Sequence, residues 1–327
     1  MSIIENSKIY EKYKIISNIG SGGFAKVFKV QEINDTSNTF YALKYFVSPK
    51  NSDEEISKKR FSQEIKVLSK VNSKYVAKFI DAYIGDNEQY IIMEYVDGIN
   101  LKDKLSEGKL NIKTVQNYAL QIADGLEELH ASGIIHRDIK SNNIMITSER
   151  TVKIIDFGLA LDDESQRHTQ VTKIVGSLYY LAPELCKTNN KPTIKTDIYA
   201  LGILIYEMLT GEYPFKGADA MQTIKKQEDS PLPDLVKIAD VPQAFANVVI
   251  KATAKDPDKR YDSVYSLKTD LKTVLNPERS LEKPLDVKTI KIKKTFVDFI
   301  NNKLTLYIGL GAIALLIVII IIIAVLV

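Results

Sequence analysis

The segment His136-Arg137-Asp138-Ile139-Lys140-Ser141-Asn142-Asn143 constrains this chain more than any other stretch. It follows residues in which Val115, Tyr118, Ala119, Ile122, Leu126 and Leu129 recur at helical spacing, which predicts an amphipathic helix leading into it. A carboxylate, an ammonium and an amide then fall within six residues. Eighteen residues after Asp138 a second carboxylate opens Asp156-Phe157-Gly158, behind the short, mainly apolar run 152–155. Two carboxylates, an amide and a lysine are the groups needed to hold Mg²⁺ and to aim a hydroxyl at a phosphoryl group. Each fragment alone could arise by accident; the ordered set is specific.

That set resembles the eukaryotic-type protein kinases, whose catalytic loop reads H-R-D-x-x-x-x-N. The resemblance implies an α+β, bilobal fold with a small antiparallel-sheet N-lobe and a mainly helical C-lobe. It covers about residues 10–275, with the N-lobe over about 10–96 and the C-lobe over about 97–275. By resemblance, Asp138 is the base that accepts the substrate hydroxyl proton, and Lys140 sits on the γ-phosphate. Asn143 and Asp156 hold Mg²⁺, with Mn²⁺ as an alternative ion. His136 is expected to pack and hydrogen-bond rather than to act as a base.

Further segments fit the same pattern. Ile19-Gly20-Ser21-Gly22-Gly23-Phe24-Ala25-Lys26-Val27 reads strand, turn, strand, with glycines that let backbone N–H groups approach phosphate oxygens. A strand follows rather than a helix, which disfavours a dinucleotide fold. The segment resembles the kinase Gly-rich loop, except that Ala25 stands where a third glycine is usual. Lys44, in the strand-like Thr39–Phe46, matches the lysine that contacts the ATP phosphates. Glu64, in an amphipathic stretch with Phe61, Ile65, Leu68 and Val71, matches the helix glutamate that orients it. Without these neighbours, Lys44 and Glu64 would read as ordinary solvent-facing charges. Tyr90–Val96 reads as a buried strand running into the hinge. Backbone groups of Glu94 and Val96 are expected to meet adenine, Met93 to line the pocket, and Val27 and Ala42 to cover the adenine face.

The activation segment runs from Asp156 to Ala182-Pro183-Glu184. Thr169 and Thr172 are its candidate phosphosites, with Arg137 as the receptor for the phosphate. Ser177 matches the hydroxyl that bridges the catalytic Asp and Lys in Ser/Thr kinases. Arg260 is expected to pair with Glu184, and Asp197 to brace the catalytic loop at the start of a buried helix over 198–209. Lys140 and Ser177 together imply Ser/Thr protein substrates.

Composition sets the compartment. A net charge of +3 and no dense basic stripe give no reason to expect nucleic acid as a partner. The single cysteine, Cys186, cannot form an internal disulfide, which implies a reducing compartment for the folded part. The polar N-terminus shows no signal peptide. From Leu304 to Val327 no charged residue occurs, a length that suits one transmembrane helix. A buried core helix is the alternative reading. Residues 276–303 read as a linker, and Lys288, Lys291, Lys293, Lys294 and Lys303 place the kinase domain on the cytoplasmic side of the cell membrane. Those lysines either meet anionic lipid or are simply solvated.

Phe61-Ser62-Gln63-Glu64, Met93–Gly98 and Asp197–Gly202 look closest to bacterial transmembrane Ser/Thr kinases, many of which carry extracellular PASTA repeats. No such repeats are read here, so either a longer protein or a sensor-less, tail-anchored form is expected. The resemblance implies a membrane-anchored Ser/Thr kinase acting on ATP and protein hydroxyls, with a homodimer serving trans-autophosphorylation. A nucleotide-binding pseudokinase scaffold is the rival from another class, and a small-molecule kinase is a second rival.

Overall fold

The computed structural model describes residues 3–21, 25–47, 54–85, 88–156, 175–187 and 190–290. Its first half is an antiparallel sheet of β1 (Tyr13–Ser21), β2 (Ala25–Glu32), β3 (Phe40–Val47), β4 (Phe79–Ile84) and β5 (Glu88–Glu94), ordered β1-β2-β3-β5-β4. Val27 lies opposite Lys44 and Lys44 opposite Ile91; Lys29 lies opposite Ala42 and Ala42 opposite Met93. Cross-strand partners share a face and alternate residues along a strand do too. Val27, Ala42, Lys44 and Met93 therefore occupy one face of the sheet. The other face carries Phe28, Val30, Leu43, Tyr45, Tyr90 and Ile92, packed with Tyr13 and with Ile9 of the short helix α1 (Ile9–Lys12). Helix α2 (Glu54–Leu68) sets Phe61 edge-on against Phe46 of β3, with ring centroids 5.3 Å apart.

The second half is mainly helical. Beyond β6 (Gly98–Asn100), the Asn100 side chain accepts the Lys102 N–H and caps α3 (Leu101–Ser106). Helix α4 (Ile112–Ala131), capped by Asn111, buries the apolar stripe read from the sequence. The hairpin β7 (Ile144–Thr147) and β8 (Val152–Ile154) follows, then α5 (Val175–Leu178). Helix α6 (Ile194–Thr210) starts from a Thr193 capping box and ends at Gly211, whose φ of 80° suits glycine. Residues 196–209 of α6 are all buried, so it is the central post of this lobe. The helices α7 (Ala220–Asp229), α8 (Leu235–Ala239), α9 (Gln243–Ala252) and α10 (Val264–Lys272) complete it.

The two halves meet at β8. Ala77 N–H donates to Ile154 O at 2.9 Å and Ile154 N–H to Tyr75 O at 2.8 Å. Gly125 of α4 permits this approach, since a Cβ there would lie 2.9 Å from Ile154 Cδ1 and 3.2 Å from Tyr75 O. The stretch read as a linker is packed over its first part. Asn247 of α9 donates to Glu282 Oε1 and Lys283 O, each at 2.8 Å, and accepts from Leu285 N–H at 2.9 Å. Among the described residues no helix is long and apolar enough to cross a membrane, and the span expected at 304–327 lies outside them.

Glu184 and Arg260 pair as expected. The guanidinium meets the carboxylate through two bonds, at 2.8 and 2.6 Å. Its remaining donors go to the carbonyls of Ala254, Lys195 and Lys255. The Arg260 side chain is fully buried and Glu184 only 15% exposed, so either group left alone would be a desolvated charge. Arg260→Met should lower the unfolding free energy by about 3–5 kcal/mol in urea denaturation. The double variant Arg260→Met/Glu184→Gln should recover much of that loss. An equal loss in both would show that the pair does not hold this lobe together.

Candidate active site

The loop 136–143 is held from beneath by one carboxylate. Asp197, buried at the start of α6, accepts the backbone N–H of His136 through Oδ2 and that of Arg137 through Oδ1, both at 2.9 Å. His130, at the end of α4, adds a bond from Nε2 to Oδ2 at 2.8 Å. These bonds fix the backbone at Arg137, whose φ of 68° is left-handed and unfavourable for a residue with a Cβ. Burial pushes the His136 imidazole below its ordinary pKa, against the pull of Asp197, Asp138 and Asp156. A neutral His136 whose Nδ1 accepts the Asp138 N–H at 3.3 Å is a packing element, as the sequence suggested.

Above this floor the polar groups converge. Lys140 Nζ donates to Asp138 Oδ2 at 2.6 Å and to Ser177 Oγ at 2.9 Å, while Ser177 Oγ donates to Asp138 Oδ1 at 3.2 Å. Asn143 Nδ2 donates to Asp138 O at 2.8 Å and to Asp138 Oδ2 at 2.9 Å, which leaves its amide oxygen to serve as an acceptor elsewhere. Ile155 N–H donates to Asn143 O at 2.9 Å, and that bond brings the next residue, Asp156, alongside. Asp156 also has a left-handed φ, of 61°. Its Oδ1 is in contact with Lys44 Nζ, so β3 of the sheet and the turn after β8 meet at one ion pair.

This set can do chemistry as a unit. A carboxylate with its oxygens already oriented, Asp138, stands beside an ammonium and a hydroxyl. An amide oxygen of Asn143 and a carboxylate of Asp156 are hard donors of the kind Mg²⁺ takes. Among the described residues no cluster of three His, Cys, Asp or Glu side chains forms a metal cage. Mg²⁺ needs none, because it binds through one or two protein oxygens together with phosphates and water.

The other expected site residues divide by position. Ile19, Gly20 and Ser21 end β1, and Ala25, Lys26 and Val27 begin β2. Gly22, Gly23, Phe24, Thr169 and Thr172 lie outside the described residues. Glu64 is on α2, and its side chain also lies outside them, so its pairing with Lys44 is not described. Met93 and Val96 are buried. Glu94 uses its N–H on Lys78 O and its carboxylate on Lys78 N–H and on Lys153 Nζ, at 3.0 and 2.8 Å.

Two features escaped the sequence reading. One is His130, a polar residue beside the apolar Leu126 and Leu129. The other is Glu207, an acid inside the otherwise apolar 198–209 run, which is 1% exposed and bonded by Tyr180, Ser141 and Lys102. A charge in the middle of a buried helix was the available signal.

Comparison with known proteins agrees with this geometry. A family model described as protein kinase domain matches residues 13–275. The probable serine/threonine-protein kinase PknB of Lactococcus lactis is 35% identical over 289 residues, covering 86% of this chain and 45% of that protein. The serine/threonine-protein kinase PrkC of Bacillus subtilis is 34% identical over 278 residues, covering 84% of this chain and 42% of its own length. PknB of Mycobacterium tuberculosis is 31% identical over 283 residues, with 83% and 44% covered. The chain thus spans less than half the length of these relatives.

Replacing Asp197 with Asn puts an amide donor where a backbone N–H now finds an acceptor. Asp197→Asn should cost about 1–3 kcal/mol of stability for each donor left unpaired. It should also speed amide hydrogen exchange at His136 and Arg137. Unchanged protection at those two amides would show that Asp197 does not fix the loop.

Proposed function

This chain belongs to the protein kinase family, and from that premise we propose that it is a serine/threonine protein kinase using ATP and Mg²⁺. The observation that carries this reading is the joined set Asp138–Lys140–Ser177–Asn143, with Asp156 and Lys44 alongside. The substrate hydroxyl oxygen attacks the γ-phosphorus of ATP, its proton passes to Asp138, and ADP leaves. Lys140 offsets charge spreading over the transferred phosphoryl, and Lys44 holds the α- and β-phosphates. Asn143 and Asp156 would hold Mg²⁺, which when bound neutralises phosphate charge and orients the chain of phosphates. The segments 19–27, with Ala42, Met93, Glu94 and Val96, would form the nucleotide pocket, and Glu64 would orient Lys44. Ser177 holds Asp138 and Lys140 in register, so little reorganisation accompanies transfer.

The wider reading is that residues 304–327 cross the cell membrane once, with the kinase domain in the cytoplasm. The uncharged apolar run and the lysines before it support this. Crowding on one membrane favours encounters between copies, and Thr169 and Thr172 are the proposed sites of trans-autophosphorylation near Arg137. A pseudokinase scaffold would be expected to lack one of Lys44, Asp138, Asn143 or Asp156, and all four are present.

The full chain in detergent, given Mg²⁺ and ATP labelled at the γ-position, should phosphorylate itself and a generic protein substrate on Ser or Thr. Asp138→Asn and Lys44→Met should each lower the rate by about 10²-fold or more. Label on Thr169 or Thr172 that rises with the square of enzyme concentration would support transfer between copies. ATP binding without transfer to any hydroxyl would favour the scaffold instead.

A further inference from the structure

We propose that Lys102, flanked by Tyr213 and Tyr179, forms a substrate subsite that receives an acidic residue next to the phosphorylated Ser or Thr. This rests on the kinase reading above and names the substrate class for that same site.

The placement follows from bonds around the catalytic loop. Asn100 caps α3 and donates its Nδ2 to Asn142 O at 2.6 Å, which fastens the first turn of α3 beside that loop. Lys102, in this turn, donates from Nζ to Glu207 Oε1 at 3.1 Å and to Tyr213 OH at 2.7 Å. Glu207 in turn accepts from Ser141 Oγ at 3.2 Å, and Ser141 directly follows Lys140. The ammonium is therefore two hydrogen bonds from the loop that carries Asp138. On the other flank, Tyr213 stacks on Tyr179 with centroids 4.2 Å apart and planes 13° apart. Tyr179 lies two residues beyond Ser177, which is bonded to Asp138.

Of the Lys102–Glu207 pair, the cation is the member that solvent meets. Glu207 is 1% exposed and already bonded by Tyr180, Ser141 and Lys102, so it offers little to an incoming cation. The Lys102 side chain is 39% exposed. An ammonium has three N–H donors, and the protein uses two of them. Burial alone would lower the Lys102 pKa, but its bonds to Tyr213 and Glu207 outweigh that and raise it, so the cation persists at neutral pH. The third donor is free for a carboxylate, and the stacked tyrosines give the peptide a rigid apolar floor. Exposed acids nearby, Asp103 on α3 and Glu212 before Tyr213, are the groups that a basic substrate would seek instead.

The test compares peptides with one Thr acceptor and either Glu or Lys at each flanking position in turn, using the full chain in detergent. We expect Glu to be preferred over Lys by about tenfold in kcat/KM at one or two positions, mainly through KM. In Lys102→Met/Glu207→Gln the Glu-to-Lys ratio at those positions should fall to near one, whereas Lys102→Arg should keep it. Glu212→Gln should leave the ratio unchanged. If the double variant does not fold, Lys102→Gln, whose amide can still donate to Glu207, should give the same loss of preference. Phosphorylation with no Glu preference, or a preference that survives loss of the Lys102 charge, overturns the subsite alone. A preference for Lys that Glu212→Gln removes overturns it in favour of the acid. Failure to phosphorylate any peptide or protein overturns the kinase reading, and this inference with it.

Discussion

A single buried carboxylate underlies the geometry of the site. Asp197 receives two successive backbone N–H groups and an imidazole, and in doing so holds Arg137 in a left-handed conformation. Such a conformation costs on the order of 1–2 kcal/mol for a residue with a Cβ, so it needs bonds that outweigh it. Because Arg137 immediately precedes Asp138, the direction of the Asp138 side chain depends on that turn. Asp197 can serve because α6 is rigid: it is capped at both ends and buried from Thr196 to Leu209.

The same device recurs at two other points of the lobe. Glu184 is tied to Arg260, and Glu207 to Tyr180, Ser141 and Lys102, so that segments distant in sequence share one buried charge. A buried ion pair adds little stability over an apolar contact of the same shape, but losing one partner is severe. The consequence is an arrangement that tolerates few alternatives around the loop. Burial raises the Tyr180 hydroxyl pKa far above its ordinary value, with Glu207 adding to the effect, so Tyr180 remains a donor to that carboxylate. Across the lobes, the bonds of Tyr75 and Ala77 to Ile154 set the sheet close enough for Lys44 to reach Asp156.

Much of this was legible in the sequence because its signals are local. The order of Asp138, Lys140, Asn143 and Asp156 carries the resemblance on which the proposed chemistry rests, and the strand alternation at Ala42–Lys44 and Ile91–Met93 puts Ala42, Lys44, Ile91 and Met93 on one face. Asp197 and Arg260 were anticipated from their motifs, and the structure supplied the bonds. His130 and the Lys102–Glu207 pair were not anticipated, because the partners lie 67 and 105 residues apart and only the tertiary fold brings them near. The first part of the expected linker proved to be packed, because Asn247, alone in the apolar face of α9, pairs with the Glu282 carboxylate and with backbone groups of Lys283 and Leu285, a stretch that carries no pattern of its own.

The central claim is that Asn143, Asp156, Lys44 and Asp138 surround one metal–nucleotide complex. The most direct measurement is a crystal structure with Mn²⁺ and a non-hydrolysable ATP analogue, with the ion located by its anomalous scattering. The account predicts an anomalous peak in contact with Asn143 Oδ1 and an Asp156 oxygen, phosphates at Lys44, and the γ-phosphoryl facing Asp138. A metal bound away from Asn143 and Asp156, or a nucleotide whose phosphates point away from Asp138, would contradict it.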